Sequence, residues 1–177
     1  MARDKIRRFA NPGFVSSVLI REATPNEFDA IWPIFHAVVS RGDAYAYPPT
    51  TTFEQAKEFW YGSSFRVFIA VTEDRVVGTY HLGANQPGLG DHVANAGFMV
   101  DPAYRGRGVA SAMCKHALST ARVAGFRAMQ FNFVVSTNER AIALWKRHGF
   151  VIVGQVPQVF RHACGDNVDA FVMHRFL

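Results

Sequence analysis

The most informative run of residues is Val100-Asp101-Pro102-Ala103-Tyr104-Arg105-Gly106-Arg107-Gly108-Val109-Ala110. It combines the end of an apolar strand, a proline that stops strand pairing, and a glycine-containing loop that opens directly into a helix. Gly106 and Gly108 have no side chain to block a close backbone approach. The N–H groups from about Arg105 to Ala110 have no intrahelical partner, and the helix dipole adds positive charge there. This geometry predicts a phosphate or pyrophosphate site, to which Arg105 and Arg107 add long-range attraction.

Other interpretations of this run are open at this point. It can be a structural strand-to-helix turn that needs glycine only for tightness. The interpretation as a dinucleotide site of the Rossmann type has less support. Ser111 stands where the third glycine would lie, and no acidic residue follows about 20 positions further on. A Walker phosphate loop is excluded, because the Gly-Lys-Ser/Thr ending is missing.

Hydrophobic periodicity and turn residues predict the elements around this run. Strands are predicted near 17–21, 66–71, 75–82, 92–100, 127–135, 150–156 and 168–175. Helices are predicted from Thr24 with a kink or break at Pro33, from Thr52 to Gly62, over 109–124, and over 138–148. This order predicts an α+β protein whose α/β-type mixed sheet is flanked by helices.

Length and composition favour one packed domain. The chain has 177 residues, of which 49% are hydrophobic and 19% charged. A disordered chain would reverse that balance, so we expect a single domain over 16–177 preceded by a basic tail over 1–15. No apolar run approaches the roughly 18 residues that a membrane span needs, and the charged start is unlike a secretory signal. Two cysteines are too few for a disulfide framework, which favours a cytoplasmic chain with free thiols.

The charge balance favours an anionic small-molecule ligand. Lys and Arg number 19 against 14 Asp and Glu, which gives a formal net charge of +5. This charge suits a phosphate-bearing ligand and would also suit a nucleic acid. Apart from 3–8 and the Arg105/Arg107 pair, however, the basic residues are scattered, and the spacing of a zinc finger is missing. We therefore expect neither a nucleic acid nor a membrane as partner.

Two motifs at compatible spacing resemble the GNAT N-acetyltransferases. The first is Arg105-x-x-Gly108-x-Ala110 after Met99-Val100-Asp101-Pro102, which looks like that family's acetyl-CoA loop. The second is Asn138-x-x-Ala141-x-x-Leu144-Trp145 followed by His148-Gly149-Phe150, which is similar to a later helix of the family. The resemblance covers most of the chain. It implies the GNAT acyl-CoA N-acyltransferase fold with a mostly antiparallel, splayed central sheet, acetyl-CoA as co-substrate, and no metal.

The resemblance also implies where the co-substrate binds. In this family the pantetheine arm lies between the splayed strands, and the pyrophosphate meets the loop. The residues expected to contact it are Phe98, Met99, Val100, Arg105, Gly106, Arg107, Gly108, Val109, Ala110, Ser111, Asn138 and Trp145. Trp145 departs from the family, which often has a tyrosine there that can protonate the departing thiolate. An indole N–H is not a usable acid near neutral pH, so either no side-chain acid acts or another group does.

Two asparagines are the candidates for the chemical step. Asn95 and Asn132 are polar residues in otherwise apolar strands, where an amide can simply satisfy backbone groups at a bulge. Alternatively, the stretches His92-x-x-Asn95-Ala96-Gly97-Phe98, Phe131-Asn132 and Thr137-Asn138 resemble the yeast proline-analogue (azetidine-2-carboxylate) N-acetyltransferases. That resemblance implies that Asn95 and Asn132 hold and polarise the acceptor or the thioester, and that Asn138 meets the co-substrate.

The acceptor pocket is expected near the loop between the first two helices. Tyr45 and Tyr47 lie in that loop, which usually shapes the acceptor pocket in this family, and they either line the pocket or pack the loop. A general base is harder to find. His36, His81 and His92 are candidates, although a lone histidine is more often a packed or surface residue than a base.

The remaining reactive side chains do not favour other chemistries. Cys114 and Cys164 have no plausible partner base in the sequence, so a thiol nucleophile is not supported. Cys114 and His116 are two positions apart on a helix and point in different directions, so a metal site is not supported either.

Three hypotheses about function follow. The first is an acetyl-CoA-dependent N-acetyltransferase, an acyltransferase that acts on a small-molecule amine by direct attack in a ternary complex. An amino or imino acid is the expected acceptor, because neutral amide donors suit a small zwitterion, whereas a polyamine would need clustered carboxylates. The second hypothesis is a CoA-binding or sensing module of the same fold without turnover. The third is a nucleic-acid-binding module. Whether the protein forms a homodimer is left open.

Overall fold

The structure is a computed structural model that describes residues 18–62 and 65–177. Its strands are β1 (Leu19–Glu22), β2 (Arg66–Thr72), β3 (Arg75–Ala84), β4 (Val93–Val100), β5 (Ala128–Val135), β6 (Val151–Arg161) and β7 (Asn167–Phe176). Its helices are α1 (Phe28–Val39), α2 (Phe53–Tyr61), α3 (Val109–Val123) and α4 (Glu139–Arg147). The expected basic tail over 1–15 lies outside the described residues. No helix within the described ranges is long and apolar enough to cross a membrane.

The strands form a mixed sheet that opens in its middle. Their order is β1-β2-β3-β4-β5-β7-β6, and the pairing of β4 with β5 is parallel while the other pairings are antiparallel. The parallel pairing joins Val93 to Ala128 and Ala94 to Met129. Beyond these residues β4 remains paired with β3, and β5 with β7, so the two central strands separate. The predicted fold, a mostly antiparallel splayed sheet flanked by helices, is confirmed.

Helices cover both faces of this sheet. One apolar cluster packs α3 and α4 against one face through residues such as Met113 and Phe131. A second cluster packs α1 and α2 against the other face through residues such as Phe35 and Met99. Each fully buried side chain of this size contributes roughly 1.5–3 kcal/mol. Because side chains alternate between the faces of a strand, a residue's position on β3, β4 or β5 decides which cluster it joins.

Two helix starts follow their local sequence signals. The Thr24 backbone N donates to the Glu27 carboxylate at 3.0 Å, at a short 3₁₀ turn that leads into α1. At the start of α2, Thr52 N donates to Gln55 Oε1 at 3.0 Å, and Gln55 N donates to Thr52 Oγ1 at 3.4 Å. α2 ends at Tyr61 with Gly62 as its C-cap, which agrees with the predicted stop at Gly62. Both starts therefore satisfy backbone donors that a helix would otherwise leave unpaired.

The first helix differs from the prediction at Pro33. We expected a kink or a break at Pro33; α1 runs without interruption from Phe28 to Val39, so a break is wrong. Proline has no N–H to donate to the carbonyl of Asp29 one turn earlier. The neighbouring Ile34 and Phe35 are buried against the sheet, and the packing that this burial provides outweighs the missing hydrogen bond.

Candidate active site

The separation of β4 from β5 exposes backbone groups along one edge of β4. Asp101 N donates to Val77 O at 2.9 Å, which fixes which residues of β4 bond to β3. Because hydrogen-bonded and non-hydrogen-bonded pairs alternate, Met99 bonds to β3, while Phe98 and Val100 turn their backbone groups towards the opening. The backbone N–H and C=O groups of Phe98 and Val100 therefore face the space between the strands, where a ligand could bind them. Of the three predicted contacts on β4, Met99 is not placed to use its backbone there.

The predicted phosphate loop has the conformation that its glycines suggest. Gly106 has a φ of +77° and Gly108 a φ of +87°, and Gly108 is the N-cap of α3. Side chains other than glycine rarely adopt these values. Ala112 N donates to Gly108 O at 3.0 Å, so the N–H groups of 109–111 have no intrahelical partner. The start of this 15-residue helix thus presents unpaired N–H donors beside the opening.

Positive charge gathers around the same loop. Burial and the charges of Arg41 and Arg140 lower the pKa of Arg105, against the opposing charge of Asp43. Arg41 and Asp43 form an ion pair in which Arg41 Nε donates to Asp43 Oδ2 at 2.8 Å. Asp43 is therefore engaged and does not serve as a free base. The three arginines come from separate segments, and their convergence favours a multiply charged anion at this loop.

Two side chains of the predicted loop site are engaged within the protein. The Arg107 guanidinium lies over the ring of Tyr104, with Cζ 5.0 Å from the ring centroid. Ser111 Oγ lies 2.9 Å from His148 Nε2. At Ser111, the backbone N–H therefore remains the group that is free to face an anion.

α4 places two further predicted residues near the opening. Asn138 is the N-cap of α4, and its Oδ1 accepts from Ala141 N at 3.2 Å. Trp145 is 8% exposed and packs between Phe98 of β4 and Phe131 of β5, with ring centroids 5.0 and 4.8 Å apart. The indole thus bridges the two strands where they separate. It has no acidic proton to offer near neutral pH.

Three asparagine side chains meet between the separating strands. Asn85 Oδ1 accepts from Asn95 Nδ2 at 3.2 Å and from Asn132 Nδ2 at 2.6 Å. Gln130 Nε2 donates to Asn132 Oδ1 at 2.8 Å and so supports that amide from its own strand. We call Asn85, Asn95 and Asn132 the amide cluster. The two asparagines predicted for the chemical step lie on different strands and are joined through a third.

A bulge in β5 helps to aim Asn132. The register of β5 with β7 shifts between Phe131 and Val134, and such a bulge re-aims side chains. A polar residue in an apolar strand can also satisfy backbone groups at a bulge, which was the alternative interpretation of Asn132. The bulge is present, but the amide of Asn132 bonds to the side chains of Asn85 and Gln130 instead.

Asn85 is a member of the amide cluster that the sequence patterns did not single out. It directly follows β3, at the start of a loop rich in glycine. The pairing of β3 with β4 and the bulge of β5 bring its side chain to Asn132, 47 positions away. Its position at a strand end, two residues beyond the Gly83 that pairs with Asn95, is the one signal that could have indicated it.

A histidine and a tyrosine lie above Gly97 on the same face as Asn95. Tyr45 OH donates to Phe98 O at 2.9 Å and so reaches the edge of the opening. His81 is 7% exposed, and its Nδ1 lies 3.3 Å from Trp60 O, which can only accept a hydrogen bond, so Nδ1 carries the proton. A Cβ on Gly97 would lie 2.6 Å from His81 Nε2 and 3.2 Å from Tyr45 OH. Glycine at this position therefore leaves space for both groups.

The two loop tyrosines have different positions. Tyr45 stacks on Tyr47 at 5.7 Å between ring centroids, and Tyr47 stacks in turn on Phe59 at 5.1 Å and on Phe35 at 5.5 Å. Burial raises the pKa of both tyrosine hydroxyls, so both remain protonated and neutral. Tyr47 packs the loop against the helices. Tyr45 packs beside it and also presents its hydroxyl to the opening.

The remaining histidine and cysteine candidates are placed as follows. His36 lies on α1 with its ring 5.2 Å from that of Trp32, and His92 is exposed. Burial raises the pKa of the Cys114 thiol to about 12, which keeps it protonated and unreactive. Cys164 has a partner that sequence analysis did not anticipate, because the turn between β6 and β7 places its Sγ 2.9 Å from His162 Nδ1. Within the described ranges, no three His, Cys, Asp or Glu side chains are grouped so as to hold a metal ion.

Burial makes His81 a neutral side chain at pH 7. Desolvation lowers its pKa from 6.5 to about 4, against the hydrogen bond with Trp60 O, which raises it. Since the folded pKa lies below the unfolded value, the unfolded chain takes up the proton first as the pH falls. The contribution of His81 to the free energy of unfolding should therefore have its maximum value above about pH 6.5. Near pH 4 the free energy of unfolding should be lower by about 3 kcal/mol.

We expect His81→Gln to weaken this acid sensitivity. Urea unfolding at about pH 7.5 and about pH 4.5 should show a smaller loss of unfolding free energy for His81→Gln than for wild type. His92→Gln is the matched control, because the exposed His92 side chain loses little solvation on folding, and it should keep the wild-type response. An equal loss in His81→Gln and wild type would contradict the assignment.

A model of the acetyltransferase (GNAT) family matches residues 28–150, which takes in both sequence motifs and more than half of the chain. The chain belongs to the GNAT acetyltransferase family. The predicted family is thereby confirmed, and the N-acetyltransferase class with it.

Two named relatives match this GNAT chain to different extents. The N-acetyltransferase aca1 of Schizosaccharomyces pombe is 32% identical over 98 residues, which are 55% of this chain and 47% of that protein. The chain therefore matches about half the length of that relative. The L-amino acid N-acetyltransferase AaaT of Escherichia coli is 26% identical over 168 residues, which are 91% of this chain and 99% of that protein.

Solved structures of the family share the whole architecture. A GCN5-related N-acetyltransferase from Kribbella flavida superposes with a TM-score of 0.85 and 44% identity, covering 90% of this chain and 98% of its own. The acetyltransferase yncA of Salmonella typhimurium, solved with its cofactor acetyl-CoA, has a TM-score of 0.80 at 23% identity, covering 92% and 95% of the two chains. At that identity, yncA shows the fold alone.

Proposed function

We propose that this GNAT protein transfers the acetyl group of acetyl-CoA to the amine of a small amino or imino acid, by direct attack in a ternary complex. The observation that carries this proposal is the amide cluster of Asn85, Asn95 and Asn132 between strands that open beside an anion-binding loop. The E. coli relative, whose name assigns it L-amino acids, supports the same class of acceptor.

The residues around the loop fit the co-substrate. The unpaired N–H groups of 109–111 and the guanidinium of Arg105 suit a pyrophosphate, since both helix starts and arginines bind phosphate oxygens. Phe98 and Val100 turn their backbone N–H and C=O groups towards the opening, which suits the amides of a pantetheine arm, although Phe98 O already accepts one hydrogen bond from Tyr45 OH. A solved structure of the same fold contains acetyl-CoA, which supports this assignment.

The amide cluster fits the chemical step. In direct transfer, the amine nitrogen forms a bond to the carbonyl carbon, the carbon–sulfur bond breaks, and the amine gives up one proton. We assign to the N–H donors of Asn95 and Asn132 the stabilisation of the oxygen that gains negative charge, which their meeting between the separating strands supports. His81, with a pKa of about 4, is a poor proton acceptor, so we assign removal of the proton to water at the opening.

A second candidate function is binding or sensing of CoA without turnover. Trp145 favours it, because an indole stands where the family often has an acidic tyrosine, and it is wedged between Phe98 and Phe131. A thiolate is a stable leaving group compared with an alkoxide, however, and it can depart without a proton donor. The tryptophan therefore does not prevent transfer.

Two measurements test the proposal. Calorimetry with acetyl-CoA should show binding to the wild-type protein. A screen of free amino acids, imino acids, polyamines and short peptides, with release of free CoA as the readout, should then show turnover with amino or imino acids. Efficient acetylation of polyamines or peptides without any free amino or imino acid would contradict the proposed acceptor. Binding of acetyl-CoA without turnover of any acceptor would favour the sensing module.

A further inference from the structure

The amide cluster contains more N–H donors than it uses internally. Asn85 Oδ1 accepts one hydrogen from Asn95 Nδ2 and one from Asn132 Nδ2. A primary amide carries two N–H hydrogens, so each of these two residues keeps one for a ligand, and Asn85 keeps both of its own. Gln130 donates to Asn132 Oδ1, which holds the nitrogen of Asn132 towards Asn85. The cluster therefore presents a surplus of donors.

The donor nitrogen of Asn85 is open to a ligand. In the described part of the chain, Asn85 Nδ2 makes no hydrogen bond, and every buried side-chain nitrogen or oxygen there has a partner. An Nδ2 without a partner must accordingly reach solvent. The backbone of Asn85 is held in place, because its N donates to Val93 O at 2.8 Å. Asn85 thus combines a fixed backbone with a free pair of donors.

The charges near the cluster favour an anionic group as the ligand of these donors. The members of the cluster are neutral amides, and burial keeps the nearby His81 neutral. The carboxylate of Asp43 is paired with Arg41 rather than with the cluster. A carboxylate accepts hydrogen bonds through two oxygens and donates none, so it matches the unused N–H hydrogens of the three amides. An ammonium group donates only, and Asn85 Oδ1 and Asn132 Oδ1 already accept within the protein, which leaves Asn95 Oδ1 as the one cluster oxygen without a hydrogen-bond partner among the described residues.

We propose that Asn85 is the specificity-determining residue of the acceptor site, binding the acceptor's carboxylate through Nδ2 while its Oδ1 orients Asn95 and Asn132. This inference rests on the proposed acetylation of an amino or imino acid. The three residues of the amide cluster then have different functions. Asn85 selects acceptors that carry a carboxylate, and the remaining hydrogens of Asn95 and Asn132 serve the oxygen of the thioester.

The exchange Asn85→Asp separates these two functions of Asn85. An aspartate keeps acceptor oxygens for Asn95 and Asn132, so the two amides stay oriented. It removes the donors of Nδ2 and adds a negative charge, which repels a carboxylate and leaves an uncharged carboxamide unaffected. The acceptors to compare are therefore free L-amino and imino acids and their own carboxamides, such as L-proline and L-prolinamide.

We expect Asn85→Asp to reverse the acceptor preference. Its KM for the free acid should rise more than about tenfold, while its KM for the carboxamide stays level or falls. The new charge also lies close to the oxygen of the thioester, so any loss of kcat should be the same for both acceptors and should leave the change in their ratio intact. Asn85→Ala should lower kcat for both acceptors, since it releases the two amides that Asn85 orients. Gln86→Ala, an exposed neighbour in the same loop, is the control and should behave as wild type in both assays.

The outcomes separate this inference from the proposed function. If wild type acetylates no free amino or imino acid, the proposed function fails and the inference fails with it. If wild type acetylates them and Asn85→Asp keeps the wild-type ratio of acid to carboxamide, the inference alone is overturned. Acetyl-CoA calorimetry and thermal unfolding check that each variant is folded. If Asn85→Asp does not fold, Asn85→Ser provides the test, since it loses Nδ2 and should reduce the preference for the acid.

Discussion

Asn132→Ala is expected to lower kcat/KM for the acceptor by about 10- to 1,000-fold, the range for losing one or two aimed hydrogen bonds. The substitution removes the N–H donors of Asn132 and the contact of 2.6 Å to Asn85 Oδ1, so the amide on the β5 side of the opening is lost. The affinity for acetyl-CoA should stay within a few-fold of wild type, because the side chain of Asn132 bonds to Asn85 and Gln130 and to no residue of the loop before α3. Initial rates at varied acceptor and calorimetry with acetyl-CoA measure the two effects.

The control for Asn132→Ala is Asn26→Ala. Asn26 is an exposed asparagine in the 3₁₀ turn before α1, so its replacement removes the same chemical group away from the opening. Its kinetics should match those of wild type. Wild-type kinetics in Asn132→Ala as well would exclude Asn132 from the chemical step, even if the protein proves to be an active acetyltransferase.

Gly108→Val is expected to weaken acetyl-CoA binding by more than about tenfold, through steric block of the pyrophosphate and a disfavoured backbone conformation. Gly108 has a φ of +87° and is the N-cap of α3, directly before the unpaired N–H groups of 109–111. A β-branched side chain either blocks the approach of the phosphates or forces the loop out of this conformation. Calorimetry with acetyl-CoA measures the loss, and thermal unfolding reports whether the fold survives.

Gly125→Val is the matched control for backbone strain. Gly125 has a φ of +88°, nearly the value at Gly108, but it lies just beyond the other end of α3. A Cβ at Gly125 would meet no atom within 4 Å, so its substitution adds strain without a clash. Both variants should lose about 1–2 kcal/mol of stability, and Gly108→Val alone should lose affinity. Equal affinities for acetyl-CoA in the two folded variants would contradict the proposal that the loop binds the pyrophosphate.

Features that depend on neighbouring residues were predictable from the sequence. Thr52 and Gln55 form the expected capping box, because both partners lie within one helical turn. Gly106 and Gly108 adopt positive φ where the strand gives way to the helix, because a tight turn there needs residues without a side chain. The order of strands and helices followed from local periodicity for the same reason.

The uninterrupted helix at Pro33, where we expected a kink or a break, shows that local rules are insufficient. A missing backbone hydrogen bond is a local cost, while the burial of Ile34 and Phe35 depends on the sheet beneath α1. The partner of Cys164 was missed because the turn between β6 and β7 brings His162 to it, and spacing alone does not describe that turn. In both places a tertiary or turn geometry decided the outcome.

One part of the candidate site depends on local sequence, and the other part depends on the tertiary structure. The glycine turn before α3 and the start of α4 at Asn138 belong to continuous stretches, so residue type and spacing were enough to predict their conformation. The amide cluster depends on the register of β3 with β4, on the end of the β4–β5 pairing, and on the bulge of β5. A shift of one residue in any of these registers would turn Asn85, Asn95 or Asn132 to the opposite face of the sheet, because side chains alternate along a strand. Strand register is set by the packing of both faces at once, which is why only the folded chain brings the three amides together.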